Sequence, residues 1–237
     1  MSEGSLTQEQ NRLLALLPQQ EYTHLLPNLE LVSLDFKQVL YERERPMQFV
    51  YFPLSGVVSS IDMMRDGSGV PVASVGKEGM VGVRAFLGAD AAPRSDIVQV
   101  PGQALRLPVL LLRGAAGRGG CLPQILCRYV NAFLGELTQS VACHLLHPLE
   151  KRCCRWLLMT HDRMGSDRFP LTHGLLAEML GVRRASVTEV ARKLQKAGLI
   201  DYIHGKITVL NRRGLEAAAC ECYEAVKKDF TLLLGGP

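Results

Sequence analysis

The first 120 residues contain no cysteine and a single histidine, His24. An iron–sulfur cluster needs four thiolates, so this half of the chain cannot hold one. A haem needs an axial His or Cys, which leaves His24 as the one candidate. A catalytic metal in a cupin-like barrel needs several His and carboxylate ligands, and the barrel would lack them. No apolar run approaches the roughly 20 residues of a membrane helix. The longest, PVLLL at 108–112, is flanked by Arg106 and Arg113. MSEGSLTQEQNR at the N-terminus has no signal-peptide core, so we expect a cytoplasmic protein with no membrane contact. There is no G-x-S-x-G elbow, and GKEGMVG at 76–82 lacks the GK[ST] of a phosphate-binding loop. These absences argue against an enzyme.

All seven cysteines fall at or after Cys121. An odd count with the near-pairs Cys153/Cys154 and Cys220/Cys222 is no disulfide framework, and in a reducing compartment such residues act as small buried hydrophobes.

What is present is a soluble-type composition, 47% hydrophobic and 21% charged over 237 residues, enough for two cores. The net charge of +4 is unevenly spread. Residues 1–147 carry −1, residues 148–213 carry +7 and the remainder −2. A basic segment on an otherwise neutral chain suggests a polyanionic partner for that segment alone.

Residues 7–27 read as short helices broken by Pro18 and Pro27. From about 30 to 108 the runs LELVSL, VLYE, QFVYF, GVVSSIDMM, VPVASV, SDIVQV and ALRLP read as strands, with DGSG at 66–69 as a hairpin turn. Strands at this spacing suggest a β-sandwich or barrel. RGAAGRGG at 113–120 reads as a flexible break. Beyond it, Leu122, Leu126, Tyr129, Phe133, Leu137 and Val141 recur at spacings of 3 and 4, with Ile125, Val130, Leu134 and Leu145 beside them. That arc is wide enough for two partners, the β-domain on one side and a second copy of the helix on the other. After Pro148 a helix is expected at about 149–163, with GSDRFP at 165–170 as a loop.

LTHGLLAEML then reads as a helix with Leu175, Leu176, Met179 and Leu180 inward. Ala177, Gly181 and Val187 have the spacing of a helix-turn-helix: a small residue at the crossing, a glycine turn, a branched residue that seats the second helix. Val187, Val190, Ala191 and Leu194 form the buried stripe of that second helix, about 184–196. Left outward are Arg183, Arg184, Ser186, Thr188, Glu189, Arg192 and Lys193. Arginine at the start of a recognition helix can pair with guanine, glutamate can accept from cytosine, and Ser or Thr can serve bases or phosphates. Arg192 and Lys193 suit backbone phosphates. LIDYIHGKITVL at 199–210 reads as a hairpin directly after this helix, a wing that carries Lys206. The expected partner is double-stranded DNA.

RWLLMTHDR, LTHGLLAEMLGVRRASVTEV and GLEAAACECY, with the order of β-runs, long helix and winged helix, resemble the CRP/FNR superfamily of bacterial transcription regulators. The resemblance spans nearly the whole chain. It implies an α+β architecture: a cupin-like, cyclic-nucleotide-binding-like antiparallel β-roll at 1–120, a central dimerisation helix at 121–147 and a winged helix-turn-helix domain at 148–237. By family analogy Arg184 and Glu189 read bases, and Ala185 stands where many members have glutamate, so the operator should differ. Expected partners are DNA, a second copy of the chain, and RNA polymerase.

Cyclic-nucleotide members of the family carry Gly-Glu-Leu and, about ten residues on, Arg-Ser. The corresponding stretch here is GMVGVRAFLGADAAPRS. Gly82, Arg84, Arg94 and Ser95 are thus the candidate ligand residues, and Arg94 with Ser95 can hold an anion. Val83 replaces the ribose-binding carboxylate, which speaks against cAMP and leaves another anionic ligand open. Two other readings stay open. One is a dimeric protein-interaction scaffold. The other is a metal- or thiol-sensing regulator using Cys143, His144 and His147, with Cys153 or Cys154 as a further ligand. Helix packing is the commoner reason for such residues, so no metal site or cofactor is expected.

Overall fold

The computed structural model describes residues 8–66 and 69–235. The seven apolar runs form seven strands: β1 (Glu30–Leu34), β2 (Val39–Tyr41), β3 (Phe49–Pro53), β4 (Val57–Met63), β5 (Gly69–Val75), β6 (Ser95–Val100) and β7 (Gly102–Pro108). They pair antiparallel in two sheets, ordered β1-β7-β3 and β2-β6-β4-β5. β4 and β5 pair as a hairpin, while Gly67 and Ser68 at the tip of the expected turn lie outside the described residues. In the β3–β7 register Val50 faces Leu107 and Phe52 faces Leu105. Side chains alternate along each strand, so all four point into one buried face.

Two short helices, α1 (Arg12–Ala15) and α2 (Gln19–Leu25), close one end of this roll. Asn11 caps α1 by accepting from the Leu13 and Leu14 N–H groups, and its own amide donates to Pro53 O (2.9 Å) and Gly79 O (3.0 Å). One buried side chain thus ties α1 to the end of β3 and to the loop after β5. A one-turn helix, α3 (Val83–Phe86), lies between β5 and β6.

The stretch at 113–120 is not a break from its start. A helix, α4 (Val109–Gly117), runs through most of it and buries Leu112 and Ala115. Arg113 donates to Ala85 O (2.9 Å) and Ala89 O (2.8 Å), so tertiary contacts override the poor helix propensity of its glycines. The chain bends only at the following residues, where Gly119 and Gly120 take positive φ.

The long helix, α5 (Cys121–Leu146), has 26 residues. With glycine at its N-cap, the free N–H groups of Cys121 and Leu122 are accepted by the Glu21 carboxylate (2.8 and 3.1 Å). Leu122, Ile125, Leu126, Tyr129 and Ala132 pack on the roll. Pro148 interrupts the backbone before α6 (Leu149–Met164).

The remainder comprises α7 (His173–Leu180), α8 (Arg184–Lys196), α9 (Arg212–Ala218), α10 (Cys222–Leu234) and a three-stranded sheet, β8 (Arg168–Pro170), β10 (Lys206–Val209) and β9 (Ile200–Ile203) in that order. The expected loop at 165–170 therefore contains a strand, paired to β10 through Phe169 and Ile207. Leu157, Leu158, Phe169, Leu176, Val187, Leu194, Ile207 and Leu215 form a second core. The last helix leaves it. Val226, Phe230 and Leu234 of α10 join the core of the roll alongside α5. α10 thus contributes to both cores, Tyr223 to the second and the later residues to that of the roll. No helix among the described residues is long and apolar enough to cross a membrane.

Candidate nucleic-acid interface

The pair α7 and α8 is built by local chemistry at each boundary. Thr172 caps α7 by accepting from Leu175 N–H (3.1 Å). Gly181 ends it in the left-handed region (φ 63), and Val182 N–H reaches back to Ala177 O (3.0 Å). A residue with a Cβ is strained there, which is why the turn takes glycine. Arg183 is extended and starts α8 without a side-chain cap. Val187, Val190, Ala191 and Leu194 are buried, the stripe expected from the sequence.

The opposite face of α8 carries the charge. Arg183, Arg184, Glu189, Arg192 and Lys193 are exposed, and Ser186 and Thr188 are half-buried. Among the described residues Arg183, Arg184 and Arg192 are in no ion pair, while Lys193 reaches Glu150 at 3.5 Å. Thr188 turns back: its hydroxyl donates to Arg184 O (3.1 Å) and lies 3.0 Å from His173 Nδ1. His173 in turn stacks on Tyr202 of β9 with ring centroids 4.1 Å apart. Burial, then the charges of Arg184 and Arg192, hold its pKa below the usual histidine value. This ring links α7, α8 and the hairpin, so Thr188 is a positioning residue as well as a surface one.

β9 and β10 make the hairpin, turning through His204 (φ 48) and Gly205 (φ 75). A two-residue turn with both φ positive matches the right-handed twist of its strands. Lys206 is exposed on β10 directly after it.

The candidate ligand residues are brought together only in part. A cavity of about 80 Å³ inside the roll is lined by Gly82, Arg84 and Arg94, but not by Ser95. The Ser95 hydroxyl instead accepts from Arg43 N–H (3.3 Å). Arg94 is already paired with Asp62 (2.9 Å). Sequence reasoning missed the cavity's acid: Asp96 is buried, takes a hydrogen bond from Ser60, and has its pKa pushed up to about 6 by burial. Asp96 sits in the apolar run SDIVQV, where only the inward strand register marks it. Phe133 and Leu137 of α5 close the cavity, so the long helix forms one of its walls. Of the three α5 candidates for a metal, His144 is exposed and bonds locally to Ser140 O (2.8 Å). Cys143 is buried and His147 half-buried.

Residues 151–218 match the Crp-like helix-turn-helix domain. Among curated proteins none matches the chain in sequence. Solved structures share its fold. FixK2 from Bradyrhizobium japonicum superposes with a TM-score of 0.70 at 16% identity, covering 81% of this chain and 98% of that one. The c-di-GMP responsive global regulator CLP from Xanthomonas campestris gives 0.62 at 15% identity, covering 81% and 99%. CooA from Carboxydothermus hydrogenoformans gives 0.60 at 13% identity, covering 83% and 90%. The chain therefore has the fold of the CRP/FNR transcription regulators and carries, at 151–218, a Crp-like helix-turn-helix domain.

Proposed function

We propose that the protein is a homodimeric, sequence-specific DNA-binding transcription regulator of the cytoplasm. One observation carries the reading: α8 presents Arg183, Arg184 and Arg192, with no ion-pair partner among the described residues, beside a hairpin bearing Lys206. Arg184 and Glu189 would read base edges in the major groove, with Ser186 and Thr188 beside them. Arg183, Arg192, Lys193 and Lys206 would hold phosphates. RNA polymerase is the expected further partner of a DNA-bound dimer.

The dimer rests on the outer face of α5. Leu134, Val141 and Leu145 are 54%, 63% and 80% exposed on a helix whose other face is buried. They lie 7 and 4 residues apart, the recurrence of a coiled-coil seam. Two copies joined there would set two α8 helices on half-sites about one helical turn, roughly 34 Å, apart.

The roll is read as a sensor that does not take cAMP. Its cavity, about 80 Å³, is far below the roughly 300 Å³ of the smallest typical ligand pockets. Arg94 is matched by Asp62, and Asp96 adds a second carboxyl group where a cyclic phosphate would need to be received. A smaller anion at Arg84 fits better.

Selection of the purified protein on random duplexes at two salt concentrations, with and without cAMP, tests the whole reading. The expected result is one two-fold symmetric site whose affinity falls steeply with salt and ignores cAMP. Salt-insensitive binding with no enriched site would replace the reading with that of a protein-interaction scaffold.

A further inference from the structure

Two segments far apart in sequence meet at the C-terminal end of α5. Cys143 and His147 stand one turn apart on the inner side of that end, and Cys220 and Cys222 come from the junction of α9 and α10. All three cysteines are buried, at 0%, 3% and 1% exposure. Cys143 Sγ lies 3.5 Å from Cys220 Sγ, and Cys222 Sγ lies 3.5 Å from His147 Nδ1. The four donor atoms all fall within 4.8 Å of one another. Sulfurs about 2.3 Å and a nitrogen about 2.0 Å from a common tetrahedral centre stand roughly 3.5–3.8 Å apart. The two closest pairs already have that separation.

The surroundings are those of a metal site rather than of a hydrophobic seam. His147 Nε2 lies 3.2 Å from the Glu221 carboxylate, which leaves Nδ1 to face the thiols. Gln139 Nε2 donates to Cys222 Sγ at 3.0 Å. Arg155, itself buried, spends one hydrogen bond on Ser140 Oγ (2.9 Å), and its Nε–H has no partner among the described residues. Three thiolates around a divalent cation leave one surplus negative charge, and this guanidinium is placed to balance it.

We propose that Cys143, His147, Cys220 and Cys222 bind one zinc ion, which fastens the α9–α10 junction to the end of α5. Four protein donors leave no open position, so the site is structural and closed. The sulfur and imidazole set selects zinc over the oxygen-seeking cations. The ion would sit one residue before Pro148, where the chain passes from the long helix to the DNA-facing half. It therefore fixes the setting of that half and is independent of any ligand in the roll.

The test uses the full chain, purified reduced and without chelator from zinc-supplemented culture. The expected metal content is about one zinc per chain. Cobalt put in its place should give thiolate charge-transfer absorption and the visible bands of a tetrahedral ion. Glu221→Gln, on an exposed side chain, should keep the fold and weaken zinc binding roughly 10–100-fold. Cys222→Ser should lose the metal, and His144→Ala should keep it. Should Cys222→Ser fail to fold, the cobalt spectrum of the unaltered chain and the affinity of Glu221→Gln still decide. The proposal is overturned if the reduced chain takes up neither zinc nor cobalt on reconstitution, or if Glu221→Gln and Cys222→Ser bind zinc as tightly as the unaltered chain. A Cys143–Cys220 disulfide in the freshly purified protein would overturn it equally.

Discussion

Arg163 of α6 and Glu136 of α5 meet at 3.1 Å with both side chains 7% exposed. The same guanidinium reaches Glu78 (2.8 Å) and Ser74 O (3.0 Å), so one arginine joins the roll, the long helix and the DNA-facing half. Two carboxylates hold Arg163 firmly protonated, and burial pushes the Glu136 pKa up against that attraction. Removing the arginine strands both acids. Arg163→Met should therefore cost about 3–5 kcal/mol in urea unfolding. Arg163→Met with Glu136→Leu should recover part of that loss, because the second change removes an unpaired buried acid.

Arg184→Ala should weaken the selected operator by about 1–3 kcal/mol and relax preference at one base pair, while random-sequence DNA is bound nearly as before. Lys206→Ala should do the opposite. It should weaken all sequences alike and lower the salt slope by about one. Paired titrations at two salt concentrations separate the two.

Asp96 gives the protein a pH dependence of known sign. Its pKa stands near 6 against an ordinary 3.8, so the native state binds this proton more tightly than the unfolded chain. Its contribution to stability is complete below pH 4 and is lost as pH rises through 6, about 3 kcal/mol in all. Asp96→Asn, which retains an acceptor for Ser60, should be the more stable protein at pH 7.5. The difference should vanish near pH 4 in urea titrations across that range.

Leu134→Arg with Val141→Arg should break the proposed dimer without unfolding the chain, because both side chains face outward. Sedimentation should show a monomer. Affinity for the two-fold site should collapse toward that for a half-site.

What the sequence made legible was local. The seven strand runs, the α8 stripe and the hairpin each repeat a short period that one element imposes on its own residues. Other features escaped because their cause lies elsewhere in the chain. α4 forms through RGAAGRGG because Leu112 and Ala115 meet a core and Arg113 meets two carbonyls, none of which composition shows. β8 is three residues long and exists only because β10, some 37 residues on, supplies its ladder. In the candidate sites, Arg84 and Arg94 were legible through the family resemblance, but Asp96 was not. Cys143 and His147 were noticed together with His144, and with Cys153 or Cys154, whereas the structure groups them with Cys220 and Cys222 from across the chain.

The return of α10 to the long helix changes what kind of joint the protein has. With one connection at Pro148 the DNA-facing half would be a flap, free to swing about a single pivot. With Val226, Phe230 and Leu234 seated in the core of the roll it is held at both ends, like a door with a bolt opposite its hinge. Such a body cannot reorient by bending one peptide. It moves only if α5 and α10 shift together or α10 lets go, and Phe133 and Leu137 place α5 against the cavity of the roll.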